Sequence, residues 1–201
     1  MRTQVATLFV AGLIAISVAF ASDAPKTQVL PVGVPAPRLR ALKLDGQPIP
    51  LWNALRGKVV IVGFWATWCS PCVAAFPKFN ALVARYSSQE VEFFSITYEP
   101  ANAVNGFVQK HPLLTTIAVD DDFSGFRAYN AWGIPVAYIF DRHGKLAGVM
   151  HPDELSSDII DAVLDGRTPY VKPATPWSDP QGAEKYFKSL QKEMKDSVTA
   201  R

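Results

Sequence analysis

Apolar positions fall along the chain in two rhythms, short unbroken runs and longer stretches with helical spacing. Val59 to Phe64 is an unbroken run of β-branched and apolar residues, which predicts a strand over 59–65 buried on both faces of a sheet. Beyond Pro71, the residues Val73, Phe76, Phe79, Leu82 and Val83 recur at helical spacing, which predicts a helix over 71–86. The same reading continues with strand 91–97, a helix at about 102–110, a strand at about 115–119, helix 122–130, strands 136–141 and 145–150, and helix 153–165. Strands separated by helices predict parallel βαβ units, while Asp141-Arg142-His143-Gly144 joins the last two strands as an antiparallel hairpin. Upstream, Leu39 to Leu51 reads as a β-hairpin on the sheet edge, turning at Asp45-Gly46. The pattern is that of an α/β domain with a mixed sheet flanked by helices.

The ends follow other rules. Arg2 precedes an apolar stretch from Val5 to Phe20 that closes on Ala19-Phe20-Ala21, the pattern of a signal peptide over 1–21 cleaved after Ala21. Left uncleaved, the same stretch would act as a membrane anchor. Ser22 to Arg38 is rich in proline and small residues and reads as an extended entry to a domain ending near Gly166. Arg167 to Pro180 is a proline-rich linker, and Ala183, Tyr186, Phe187, Leu190 and Met194 then share one face of a C-terminal helix, with lysines mostly outside it. Docking onto the same domain is the expected use of that face, with a partner-binding or membrane-surface helix as the sharper alternative.

Composition narrows the function. The 201 residues carry a net charge of only +2, and no basic stripe interleaved with aromatics occurs, so nucleic acid is not an expected partner. Both cysteines of the chain lie in Trp65-Ala66-Thr67-Trp68-Cys69-Ser70-Pro71-Cys72, between the predicted strand and the predicted helix. At a helix N-terminus the free amides and the dipole favour a thiolate, the form that attacks disulfides. Pro71 fits the first turn, where its missing N–H costs nothing. Cys69 is therefore expected to be the exposed attacking thiol, and Cys72, one turn further in, the resolving thiol. Cys-x-x-Cys could also be half of a zinc site, but a second pair is absent and His111, His143 and His151 are scattered singly. A purely structural disulfide would close almost no loop and stabilise little.

These residues carry a resemblance. Trp65-Ala66-x-Trp68-Cys69-x-x-Cys72, with Pro77 five residues on, is similar to the active-site signature and helix-kinking proline of the thioredoxin superfamily. Val32-Gly33-Val34-Pro35-Ala36-Pro37, Leu44-Asp45-Gly46 and Leu55-Arg56-Gly57-Lys58-Val59-Val60 resemble the N-terminal extension of its exported TlpA/ResA-like branch, related to redoxin and AhpC/TSA domains. Gly133-Ile134-Pro135 resembles the cis-proline loop. The resemblance, covering about Pro31 to Gly166, implies a thioredoxin-like fold with an N-terminal hairpin and a central helix-strand insertion, here Pro100 to Asp120. That insertion is expected to widen the sheet, with partner selection as the sharper alternative. It also implies a cis bond before Pro135, facing Cys69, with Trp68 and Ile134 as an apolar rim for an extended substrate segment. Trp65 is expected in the core.

The chain departs from the family at two positions. Gly63 stands where thioredoxins bury an acid, and Ala75 where the TlpA/ResA branch places a glutamate. Deprotonation of Cys72 then needs another acceptor, and Glu99, at a sheet end, is the candidate. The function implied is an exported, periplasmic thiol-disulfide oxidoreductase needing no cofactor and no metal. It would act on protein thiols and disulfides in the reducing direction, maintaining cytochrome c or copper-site thiols, and be reset by another redox protein. A peroxiredoxin-type peroxidase would want Ser or Thr where Ala66 stands, and a copper-delivery module would recruit His143 or His151.

Overall fold

The computed structural model describes residues 30–87, 90–169 and 180–199. The predicted signal peptide over 1–21 and most of the predicted proline-rich linker lie outside the described residues. In chain order the elements are β1 (Leu42–Lys43), α1 (Leu51–Ala54), β2 (Val59–Phe64), α2 (Ser70–Ala74), α3 (Phe76–Tyr86), β3 (Val91–Thr97), α4 (Ala101–Val108), β4 (Thr116–Val119), α5 (Ser124–Tyr129), β5 (Val136–Phe140), β6 (Leu146–Met150), α6 (Ser157–Leu164) and α7 (Pro180–Thr199). A 3₁₀ turn over Pro152–Glu154 precedes α6.

The strands form one mixed sheet in the order β1-β4-β3-β2-β5-β6. All six residues of β2 are buried, because β2 lies inside the sheet with helices over both faces, as its unbroken apolar run requires. β2, β3 and β4 are parallel, but β5 runs antiparallel to β2, which corrects the expectation of parallel units wherever a helix intervenes. The cause is length. The six residues of α5 rise about 9 Å, too little to return the chain across the sheet, so β5 starts at the end where β4 stops. The Pro100 to Asp120 stretch supplies α4 and β4, and β4 widens the sheet beyond β3.

Three boundaries move from expectation. The helix over 71–86 is two helices broken at Ala75, with Pro77 in the first turn of the second; proline has no N–H to offer the preceding turn. Helix 153–165 splits at Ser156, whose hydroxyl caps α6 by accepting from the Ile159 N–H. The N-terminal hairpin is rudimentary, with two residues in β1 and a single bridge from Leu42 to Pro48.

The entry segment reaches both borders of the sheet. Gly33 N–H donates to the Leu146 carbonyl at 2.7 Å, Leu146 N–H to Val34 at 2.8 Å and Ala36 N–H to Gly144 at 2.9 Å. The same segment then pairs β1 with β4 at the opposite border.

Helix α7 docks on the domain. Ala183, Phe187 and Gln191 are buried and Leu190 packs against the core, but Tyr186 is 54% exposed. The buried face is therefore rotated from the predicted one, with Tyr186 at its edge. Gln191 Nε2 donates to the carbonyls of Tyr98 at 2.8 Å and Asp121 at 2.9 Å, and Arg127 on α5 pairs with Glu184 at 2.9 Å.

Candidate active site

The carboxyl ends of β2 and β3 and the start of α2 define the site. β2 delivers Trp65 to Trp68, after which Cys69 stands as N-cap of α2 with extended backbone. Its Sγ accepts from the Cys72 N–H at 3.3 Å. Pro71 sits in the first turn, so the amides there serve the sulfur. Cys69 and Cys72 are joined in a disulfide, with Cα atoms 5.2 Å apart. Both are buried, Cys69 at 4% and Cys72 at 2% exposure, so exposure distinguishes the two sulfurs only slightly. Ser70 and Pro71 beside them are exposed.

The Ile134–Pro135 bond is cis, and Ile134 and Pro135 are half-buried. Pro135 and Cys72 line one small apolar cavity, shared with Gly63, Ala75, Phe79 and Leu113. The positions where the family places its acids thus both face the space behind Cys72, and both are filled without charge. Leu113 comes from the inserted stretch, which reaches the site as well as widening the sheet. Ser95, opposite Gly63 on β3, also lines this cavity, its hydroxyl paired with that of Thr115 at 2.7 Å.

Glu99 is fully buried. Its carboxylate accepts from the Thr67 N–H and the Thr67 hydroxyl, both at 2.7 Å, and from the Thr97 hydroxyl at 3.1 Å. Burial pushes its pKa up, against the opposing pull of the Thr67 and Thr97 hydrogen bonds. Glu99 therefore grips the loop two residues before Cys69. Trp68 is 43% exposed, and its indole N–H donates to the Tyr98 hydroxyl at 2.7 Å. Tyr98 is stacked between Phe123 at 5.0 Å and Phe187 at 5.2 Å, and burial raises its phenol pKa. Trp65 is in the core, edge-on to Phe76 at 5.1 Å, with a buried indole N–H that has no acceptor among the described residues.

The sequence does not single out Thr67 and Tyr98, and it marks Tyr186 and Phe187 of α7 only as part of a docking face, not as neighbours of the motif. Each meets the motif through a partner about thirty residues away or more, and short-range pattern carries no trace of that. The histidines separate. His143 lies in the turn at the opposite end of the sheet, where the neighbouring Arg142 carbonyl accepts from Gly57. His151 follows β6 at the site end, and its Nδ1 accepts from the Asp153 N–H at 3.2 Å. Among the described residues, no group of three or more His, Cys, Asp or Glu side chains is placed to hold a metal ion.

A mixed sheet of this topology, with a Cys-x-x-Cys pair opening a helix and a cis-proline loop on the same cavity, defines the class of thioredoxin-like oxidoreductases. The AhpC/TSA family matches residues 32–149, and the chain belongs to that family. Among its relatives are the thiol-disulfide oxidoreductase ResA of Geobacillus thermodenitrificans, 32% identical over 79% of this chain and 90% of the relative, and ResA of Bacillus thuringiensis, 29% identical over 78% and 84%. A crystal structure from Chlorobium tepidum, described as a thiol:disulfide interchange protein DsbE, covers 61% of this chain and 86% of its own, at 28% identity and a TM-score of 0.56.

Proposed function

We propose that this chain exchanges disulfides with partner proteins through Cys69 and Cys72, outside the cytoplasm and in the reducing direction. The observation that carries the reading is the Cys69 sulfur itself, which caps α2, receives the Cys72 amide and is bonded to the Cys72 sulfur. Amide donation and the start of a helix stabilise a thiolate there in the reduced protein. The Cys69 thiolate attacks a partner's disulfide, forming a mixed disulfide and releasing one partner thiolate. Cys72 then attacks the Cys69 sulfur and displaces the second partner thiolate. The partner gains two electrons and the protein keeps the Cys69–Cys72 bond, so a further dithiol protein must reset it.

Trp68, the residue before Cys69, is exposed, and Ile134 precedes the cis-proline that shares a cavity with Cys72; with Pro135 they form the substrate rim in this reading. Proline offers no N–H at that point, so an extended segment meets side chains and carbonyls there. Gly63 and Ala75 supply no acid beside Cys72, so proton removal from Cys72 is assigned to Glu99, the buried carboxylate that holds Thr67 of the motif, with water as the carrier between them. The leader pattern over 1–21 supports export, and homology to ResA supports the reducing direction. Apocytochrome or copper-site cysteines are the substrate class we favour.

The midpoint potential of the Cys69/Cys72 couple tests the direction. A value near thioredoxin's, about −270 mV, is expected, and one near that of DsbA, about −120 mV, would make the protein an oxidant. Reduced protein that fails to reduce any disulfide, large or small, would end the proposal. For Glu99, the expected result is that Glu99→Gln slows the resolving step and moves its pH profile; an unchanged profile would remove Glu99 from proton transfer.

A further inference from the structure

Helix α7 lies beyond the residues matched by the family, yet it packs on the residue next to Cys69. The Trp68 ring lies 5.8 Å from Phe187 and 6.3 Å from Tyr186, edge-on to the latter. The two aromatic residues of α7 do different things. Phe187 is 3% exposed and stacks on Tyr98, with Phe126 and Trp132 about it. Together with Gln191 and Glu184 it anchors the helix. Tyr186 makes none of those anchoring contacts.

Six large apolar side chains are exposed among the described residues, and of these only Trp68 and Tyr186 are in ring contact with each other. Trp68 is itself held rigid from below by the Tyr98 hydroxyl. The result is a fixed, two-ring ledge beside a reactive sulfur. Rigid aromatic side chains with one face open are what interfaces use to hold an apolar side chain at little entropic cost.

We infer that Tyr186 of α7 and Trp68 form a recognition ledge for an extended partner segment, selecting an apolar side chain next to the partner's reacting cysteine. Trp68 immediately precedes Cys69 in the chain, so the side chain that meets the ledge is one close to the partner's reacting sulfur. A patch of two rings is too small for a stable dimer, and a partner already tethered through sulfur needs no more. The inference rests on the disulfide-exchange reading and names the substrate feature that the site selects.

Two synthetic peptides test it, identical except for Leu or Ser beside their single cysteine, each a mixed disulfide with 5-thio-2-nitrobenzoate. The reduced full chain attacks the peptide sulfur and expels the thionitrobenzoate; Cys72 then closes the protein disulfide and frees the peptide thiol, so both electrons come from the protein. The wild type is expected to react about fivefold faster with the Leu peptide. Tyr186→Ser should bring that ratio close to one, and Tyr186→Phe should keep it. A wild type without preference, or a Tyr186→Ser protein that retains it, overturns the inference. Failure of the underlying reading looks different: the reduced wild type then releases no thionitrobenzoate from either peptide or from the free reagent. Because the wild-type ratio needs no variant, the test holds even if a substitution unfolds α7.

Discussion

Glu99 keeps a carboxylate away from water because three donors come with it, two from Thr67 and one from Thr97. Truncating it leaves the part-buried Thr67 N–H and the hydroxyls without their acceptor, and each such orphan costs up to about 1–3 kcal/mol. Glu99→Ala should therefore lower stability in urea unfolding by about 2–4 kcal/mol, and Glu99→Gln by less, since an amide oxygen can still accept from the Thr67 N–H. In the cavity beside Cys72, Ala75→Glu would supply the acid that the chain lacks there. The expected outcome is a resolving step at least about tenfold faster near neutral pH, read in rapid-quench experiments, with some stability lost to the buried charge. At this scale the sequence was partly legible. Cys69, Cys72 and Pro135 declare themselves through motif and spacing, whereas Glu99 and Thr67, or Trp68 and Tyr98, become neighbours only when β3 pairs beside β2.

Among elements, α5 depends on an acid that lies outside it. Asp120 accepts from the Gly125 and Phe126 N–H groups at 3.1 and 2.9 Å and from the Ser124 hydroxyl at 3.2 Å, while Phe123, the residue before the helix, has φ of 58° and offers no side-chain cap. A Cβ at Gly125 would stand 2.1 Å from Leu39 Cδ1 and 3.1 Å from Asp120 Oδ2. Alanine normally strengthens a helix at glycine's expense, but Gly125→Ala should here destabilise by about 1–2 kcal/mol, visible as a lower melting temperature. Phe187→Ala should cost about 3–4 kcal/mol in the same assay and release Trp68 from its neighbour. Long regular elements were legible because burial on both faces or on one stripe writes itself into period; β3 matches its expected bounds of 91–97. The division of α2 from α3, the shortness of α5 and the rotated face of α7 were not, because a buried Gln191 bonding two distant carbonyls looks polar in sequence and sits inside in the fold.

For the molecule as a whole, two buried carboxyls set the response to acid. Burial lifts Asp120 from 3.8 to about 6, against the pull of its helix amides, and raises Glu99 above its ordinary 4.5. The folded protein then holds protons that the unfolded chain has already released. Stability from this source is complete below the unfolded values and is lost as pH rises through the folded ones. The urea midpoint should thus be higher at pH 5 than at pH 7.5, and Asp120→Asn should remove most of that difference. Asp45, Asp122 and Glu184 are shifted the other way by their hydrogen bonds and ion pairs, so the gain should turn over near pH 4.

The segment of residues 33 to 43 that bonds to β6 at one border and, as β1, covers β4 at the other has a consequence for synthesis and storage. It emerges from the ribosome before every strand it must cover, and until β4 and β6 exist it has nothing to seal. A chain clipped before Leu44 would keep its cysteine motif while leaving two bare flanks open to copies of itself, so loss of this strap should show first as clumping, with the thiol chemistry still present in whatever remains dissolved.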